Sequence, residues 1–197
     1  MRIILTAAAV ALSLPAYCGE SAKPVQTVLI SFDGAHDVAQ WQRSLKLGAE
    51  TGAKFTYFLN CSFLLSPETK SHFDAHGKGK AKSNVGFGKS QADVSARLNQ
   101  IWRAHVSGHE IASYTCGHFD GKGWSAADFE SDRQQFRSIL ADAWVINGEV
   151  REPFGWRKFS EDFPQGFRAP YLSVGKGLEP ALKSGLYLYD ASTVERG

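Results

Sequence analysis

The sequence predicts an α/β domain built on a parallel sheet. Two patterns carry that expectation. Short β-branched and apolar runs alternate with stretches of helical periodicity, and the helical stretches open on capping residues and close on glycine. The bulk composition agrees: 197 residues at 43% apolar and 21% charged can fill one sizeable core, and they lie outside the ranges of disordered, coiled-coil and collagen-like chains. The 22 basic residues against 20 acidic ones leave a formal charge of +2, too near balance for a chain devoted to gripping a phosphate backbone. Nucleic acid is therefore not expected as a partner. Thirteen phenylalanines, six tyrosines, five tryptophans and 19 glycines point to a loop-rich domain with a broad aromatic surface.

Residues 1–18 read as a secretory signal. Arg2 precedes an apolar run over 3–14, then Pro15 and a cleavage site after Cys18. The run is shorter than the roughly 20 residues a membrane helix needs. The mature domain, 19–197, is thus expected to be secreted or periplasmic, with no stable membrane span. Of its two cysteines, Cys61 and Cys116, the sequence leaves two readings open: a disulfide, or two small buried hydrophobes.

Residues 26–33 (QTVLISFD) have the pattern of a buried parallel strand. Asp37 and Gln40 form a capping box for a helix to about Thr51, closed by Gly52. Residues 53–65 (AKFTYFLNCSFLL) read as the second strand, and 66–89, without periodicity and with four glycines, as a long surface loop. Ser90 and Asp93 open a second helix that sets Val94, Leu98, Ile101 and Trp102 on one face and ends at Gly108. The third strand is 109–114. Ser125 and Asp128 open a third helix running to Gly148. After an irregular segment come a strand at 167–174, a short helix following Gly177 and a last strand at 186–190. That makes five strands joined by right-handed crossovers in one domain. Trp41, Trp102 and Trp144 lie on helix faces and are expected in the core.

In such domains the functional side chains stand at the carboxyl ends of the strands. Three of those ends carry unusual polar groups: SFDGAHD (31–37), HEIASYTCGH (109–118) and FRAPY (167–171). A carboxylate, an imidazole and a guanidinium converging from adjacent strands have the composition of a hydrolytic site.

At these residues the chain resembles the polysaccharide deacetylases of the NodB homology type, carbohydrate esterase family four. Their motifs TFDDG, HTxxH after a GHE lead-in and RxPY occur in the same order, across about residues 26–190 here. The resemblance implies a distorted (β/α) barrel of the glycoside hydrolase/deacetylase type. It also implies removal of acetyl groups from N-acetylated polysaccharides or oligosaccharides such as chitin, by water activated on a divalent metal, usually zinc. The five strands fall short of the about seven of that barrel, and the family's later motifs are not found before Gly197, so the barrel is expected to be incomplete.

Residue by residue, the resemblance makes Asp33 the general base and Arg168 the group that keeps it ionised and oriented. His118 becomes a metal ligand, and Tyr171 contributes its backbone N–H to the oxyanion. Two positions depart from the pattern. Gly34 stands where the family has a ligand aspartate, and Tyr114 where it has the first histidine. Asp37 is the nearest substitute ligand, in competition with its role as a helix cap. Tyr114, Tyr171 and Trp124 are expected to contact the glycan. The alternative is a carbohydrate-binding relative that kept the cleft and lost the chemistry.

Overall fold

A computed structural model describes residues 25–149 and 151–193. The expected signal segment 1–18 lies outside the described residues. In chain order the elements are β1 (Ser31–Gly34), α1 (Val38–Thr51), β2 (Thr56–Leu59), 3-10 turns at Cys61–Leu64 and Lys70–His72, then β3 (Asp74–Ala75) and β4 (Gly79–Lys80). There follow α2 (Gln91–Val106), β5 (Glu110–Ser113), α3 (Ala126–Ile146), α4 (Trp156–Asp162), β6 (Gly166–Phe167), a 3-10 turn at Pro170–Leu172, α5 (Leu178–Lys183) and β7 (Tyr189–Asp190). Five strands form one all-parallel sheet in the order β1-β2-β5-β6-β7, while β3 and β4 make a separate antiparallel pair. Among the described residues the sheet is open, with β1 and β7 as its edges.

Strand alternation divides the sheet into two faces. Tyr57, Leu59 and Ile111 pack against Trp41, Leu45, Val94, Leu98, Ile101 and Phe136 from the helices, forming the main core. Phe58, Ala112 and Tyr114 form a smaller cluster on the opposite face, and the register sets Asp33 beside Phe58 in that row. Trp41 and Trp144 are buried and Trp102 packs against the same core, as their helical spacing predicts.

The caps match local chemistry. Asp37 accepts Ala39 N–H at 2.8 Å, and α1 ends at Gly52, whose φ of 75° suits a residue without Cβ. Ser125 and Asp128 form a complete capping box on α3.

Several boundaries differ from expectation. The strand expected over 26–33 is β1 alone; it is an edge strand rather than a buried one, and Val25, Val28 and Leu29 stand exposed. The run 53–65 is extended only to Leu59. Cys61–Leu64 turns into a fully buried 3-10 helix, so that apolar run records burial rather than strand. The strand expected over 167–174 stops at Phe167, because Pro170 offers no N–H and Tyr171 and Leu172 take positive φ. The last strand shrinks to Tyr189–Asp190. The loop 66–89 contains the β3–β4 pair, and the irregular segment contains α4, a helix short enough to escape periodicity. Cys61 and Cys116 are paired as a disulfide, with Cα atoms 4.4 Å apart. No helix among the described residues is long and apolar enough to cross a membrane.

Candidate functional site

The site is built where β1, β2, β5 and β6 end. Arg97, wholly buried on α2, organises the first two ends. Its guanidinium donates to His36 O at 2.8 and 3.0 Å, to Phe63 O at 2.6 Å and to Asp93 at 2.8 Å, tying the loop after β1 to the turn after β2.

Asp33 and Arg168 meet across the sheet. Arg168 Nη1 donates to Asp33 Oδ1 at 2.6 Å and to Ser31 Oγ at 3.0 Å, Nε donates to Ala191 O at 3.1 Å, and the guanidinium lies 4.1 Å over the Phe58 ring. This is a charge-assisted pair whose cation is fixed from β1, β2 and the residue after β7 together. The Asp33 side chain keeps 42% of its surface open to solvent, against 20% for Arg168, so the carboxylate is the accessible member.

Tyr114 occupies the next place. Its ring is buried, and burial first, then the nearby Asp33 charge, push that phenol upward, so it stays neutral. His118 stands edge-on between Tyr114 and Tyr171, with both ring centroids at 4.8 Å. Its Nδ1 is buried without a hydrogen-bond partner. Burial lowers its pKa, partly opposed by its own backbone and by the Asp33 charge, which leaves the imidazole neutral near pH 7.

The loop that carries both rings is held at every peptide. Asn60 Nδ2 donates to Tyr114 O at 2.6 Å and to Thr115 O at 3.0 Å. Ser62 N–H donates to Cys116 O, Asn84 N–H to Gly117 O, and Asn84 Nδ2 to His118 O. In the other direction, Thr115 N–H donates to Ser113 Oγ and Cys116 N–H to Asp132. These clamps hold a strained backbone: Thr115 and His118 lie at φ of 60° and 56°. Ala35, Tyr171 and Leu172 at neighbouring strand ends are also left-handed, at 51°, 59° and 53°. Each costs of order 1 kcal/mol or more, and such residues collect where a site is being shaped.

A cavity of about 360 Å³ adjoins this centre, lined by His76, Lys78, Asn84, Phe119, Asp120 and Trp124. Asn84 links the two, since its Nδ2 that holds His118 O also reaches within 3.5 Å of the Tyr171 hydroxyl. Tyr171 is 60% exposed on the rim, and Trp124 is half-buried. Phe119 belongs to the main core and shows only an edge in the cavity wall.

Of the residues singled out from sequence, the structure gathers Asp33, Arg168, Tyr114, His118 and Tyr171, with Trp124 on the adjoining cavity. It does not bring in Asp37, whose carboxylate caps α1 and faces a different pocket with His36, Lys89 and Asp93. Asn60, Asn84 and Asp132 were not foreseen. Only Asn60 had a signal, its place directly after a strand.

The divalent metal implied by the resemblance does not fit this donor set. His118 offers one imidazole, Gly34 has no side chain, Tyr114 is a neutral phenol and Asp33 is engaged by Arg168. Among the described residues no three His, Cys, Asp or Glu side chains converge as a metal site would require.

No family model matches the chain, and no curated protein does. Solved structures do. The chain is similar to the chitin deacetylase of the fungal pathogen Colletotrichum lindemuthianum at 19% identity and TM-score 0.48, over 82% of this chain and 53% of that one. It is similar to the family 4 carbohydrate esterase of Streptomyces lividans, determined with acetate, at 13% identity and TM-score 0.45, over 83% and 60%. It is also similar to a CE4 family pseudoenzyme of Bacillus anthracis at 12% identity and TM-score 0.45, over 81% and 40%. All three scores fall below one half, and the chain spans about half the length of these proteins. They are a deacetylase, an esterase and a pseudoenzyme of the family that the SFDG, YTCGH and RAPY motifs resemble.

Proposed function

We propose that the chain is a polysaccharide-deacetylase-type domain that binds acetylated glycan at its strand ends, with the family's metal chemistry impaired. One observation carries the reading: an accessible carboxylate held by a fixed arginine shares the strand ends with His118 and Tyr171, which Asn84 ties to an aromatic-walled cavity. Sugars present apolar C–H faces and a rim of hydroxyl and amide groups. Tyr171 and Trp124 supply aromatic surfaces for the first. Asp33 accepts from a hydroxyl or acetamido N–H, and Tyr114 and Asn84 supply further polar contacts for the second. The amino-terminal signal pattern supports export, where such a ligand would be met.

A second reading, hydrolysis of the acetyl group, is favoured by the Asp33–Arg168 pair itself, which keeps a carboxylate ionised, oriented and open to water as a general base must be. Acetylated chitin oligomers separate the two. The binding reading expects tryptophan fluorescence to change on their addition, with no acetate released in the presence of zinc. Zinc-dependent acetate release that Asp33→Asn abolishes would establish the hydrolase instead. Neither binding nor release would remove both.

A further inference from the structure

One clamp on the loop between Tyr114 and His118 is ionisable. Asp132, two turns into α3 and 4% exposed, brings both carboxylate oxygens to 3.1 Å from Cys116 N–H. Tyr187, buried in the segment after α5, carries a phenol on which Asp132, Ser113, Arg133 and Glu130 all act. Among the described residues no arginine, lysine or histidine forms an ion pair with Asp132.

We propose that Asp132 is a positioning residue for the candidate site: through Cys116 N–H its carboxylate sets the backbone that presents Tyr114 and His118, and its charge state alters that presentation. The inference rests on the reading of this loop as part of the glycan site. The disulfide to Cys61 fixes where Cys116 lies, but the direction of the Cys116 N–H is fixed by Asp132. That direction matters because the adjacent Thr115 is left-handed and the loop keeps its strained form only while its surroundings over-determine it.

The two charge states hold the loop differently. An ionised carboxylate accepts the N–H roughly twice as strongly as a neutral carboxyl. The neutral acid turns one of its two oxygens from acceptor into donor, so a single oxygen remains to take the Cys116 N–H. Burial without a cation pushes this carboxyl up to about 7, opposed only by the Cys116 N–H, so both states are populated near neutrality.

Amide NMR of the ¹⁵N-labelled protein without glycan, from about pH 5 to pH 9, tests this. The Cys116 amide is expected to shift with a midpoint of about 7, accompanied by Thr115, Gly117 and the His118 ring, and to stay flat in Asp132→Asn. A flat Cys116 amide in the wild type, or a titration that survives in Asp132→Asn, overturns the proposal. Should Asp132→Asn fail to fold, the Asp132 carboxyl ¹³C resonance of the wild type is expected to titrate with the same midpoint as the Cys116 amide; a carboxyl that stays flat over that range contradicts the proposal. Chitin-oligomer titration of the same wild-type sample separates the two ideas. A titrating loop that binds no oligomer ends the glycan reading and leaves the positioning role standing.

Discussion

Asp33 bonds to Arg168, and its charge raises the Tyr114 phenol and supports the protonated form of His118. Asp33→Asn removes that support, so the His118 pKa, already lowered by burial, is expected to fall further, read from its ring resonances as a function of pH. An unchanged pKa would show that the imidazole does not feel this carboxylate. Losing a charge-assisted acceptor is also expected to weaken glycan binding by about 1.5–3 kcal/mol, roughly ten- to a hundredfold, measured by fluorescence titration. Asp132 makes an opposite contribution to stability. Its carboxyl titrates at about 7 in the folded protein against 3.8 in the unfolded chain, so between those values the folded state holds a proton that the unfolded state has released. Stability from this group therefore falls as pH rises through that window and stays reduced above it. Asp132→Asn is expected to raise the Tm at about pH 8 more than at about pH 5, as scanning calorimetry would report; a larger gain at low pH contradicts the assignment. Asp33, Arg168, His118 and Tyr171 were legible because each stands at a strand end inside a short motif. Asp132 was not, since a lone acid in a helix reads as solvated surface until the fold buries it.

At the scale of elements, the legible parts were those with local causes. Asp37, Ser90 and Ser125 each cap the helix the sequence assigns them, because capping is decided within three residues. The strands were placed in the right order but drawn too long, since apolar runs such as 61–65 report burial, and their extension is cut by distant constraints: the Cys61–Cys116 bridge and the Arg97 clamp. Arg97 also shows how an element far from the chemistry shapes it. Arg97→Met would leave His36 O and Phe63 O without their buried donor and Asp93 without its cation. It is expected to cost roughly 3–5 kcal/mol in urea unfolding and to loosen the ends of β1 and β2 together. A loss below about 1 kcal/mol would mean the clamp is dispensable.

For the whole molecule, composition and alternation sufficed for the parallel five-stranded sheet, and the strand-end rule picked out residues that gather in one candidate centre. What they left out is how the parts of the centre engage one another. Asp37 stays on its helix, the Asp33 charge acts on the Tyr114 phenol, and the aperiodic loop 66–89 returns through Asn84 to hold His118 and border the cavity. These are long-range contacts between polar groups, and neither periodicity nor motif spacing records them. The resulting centre has the polar and aromatic groups of a sugar site without a metal's donor set. Calorimetric titration of acetylated chitin oligomers into protein dialysed against EDTA, and into the same protein with zinc restored, tests that account most directly. Equal affinity in the two samples is predicted; binding that vanishes with EDTA and returns with zinc would contradict it.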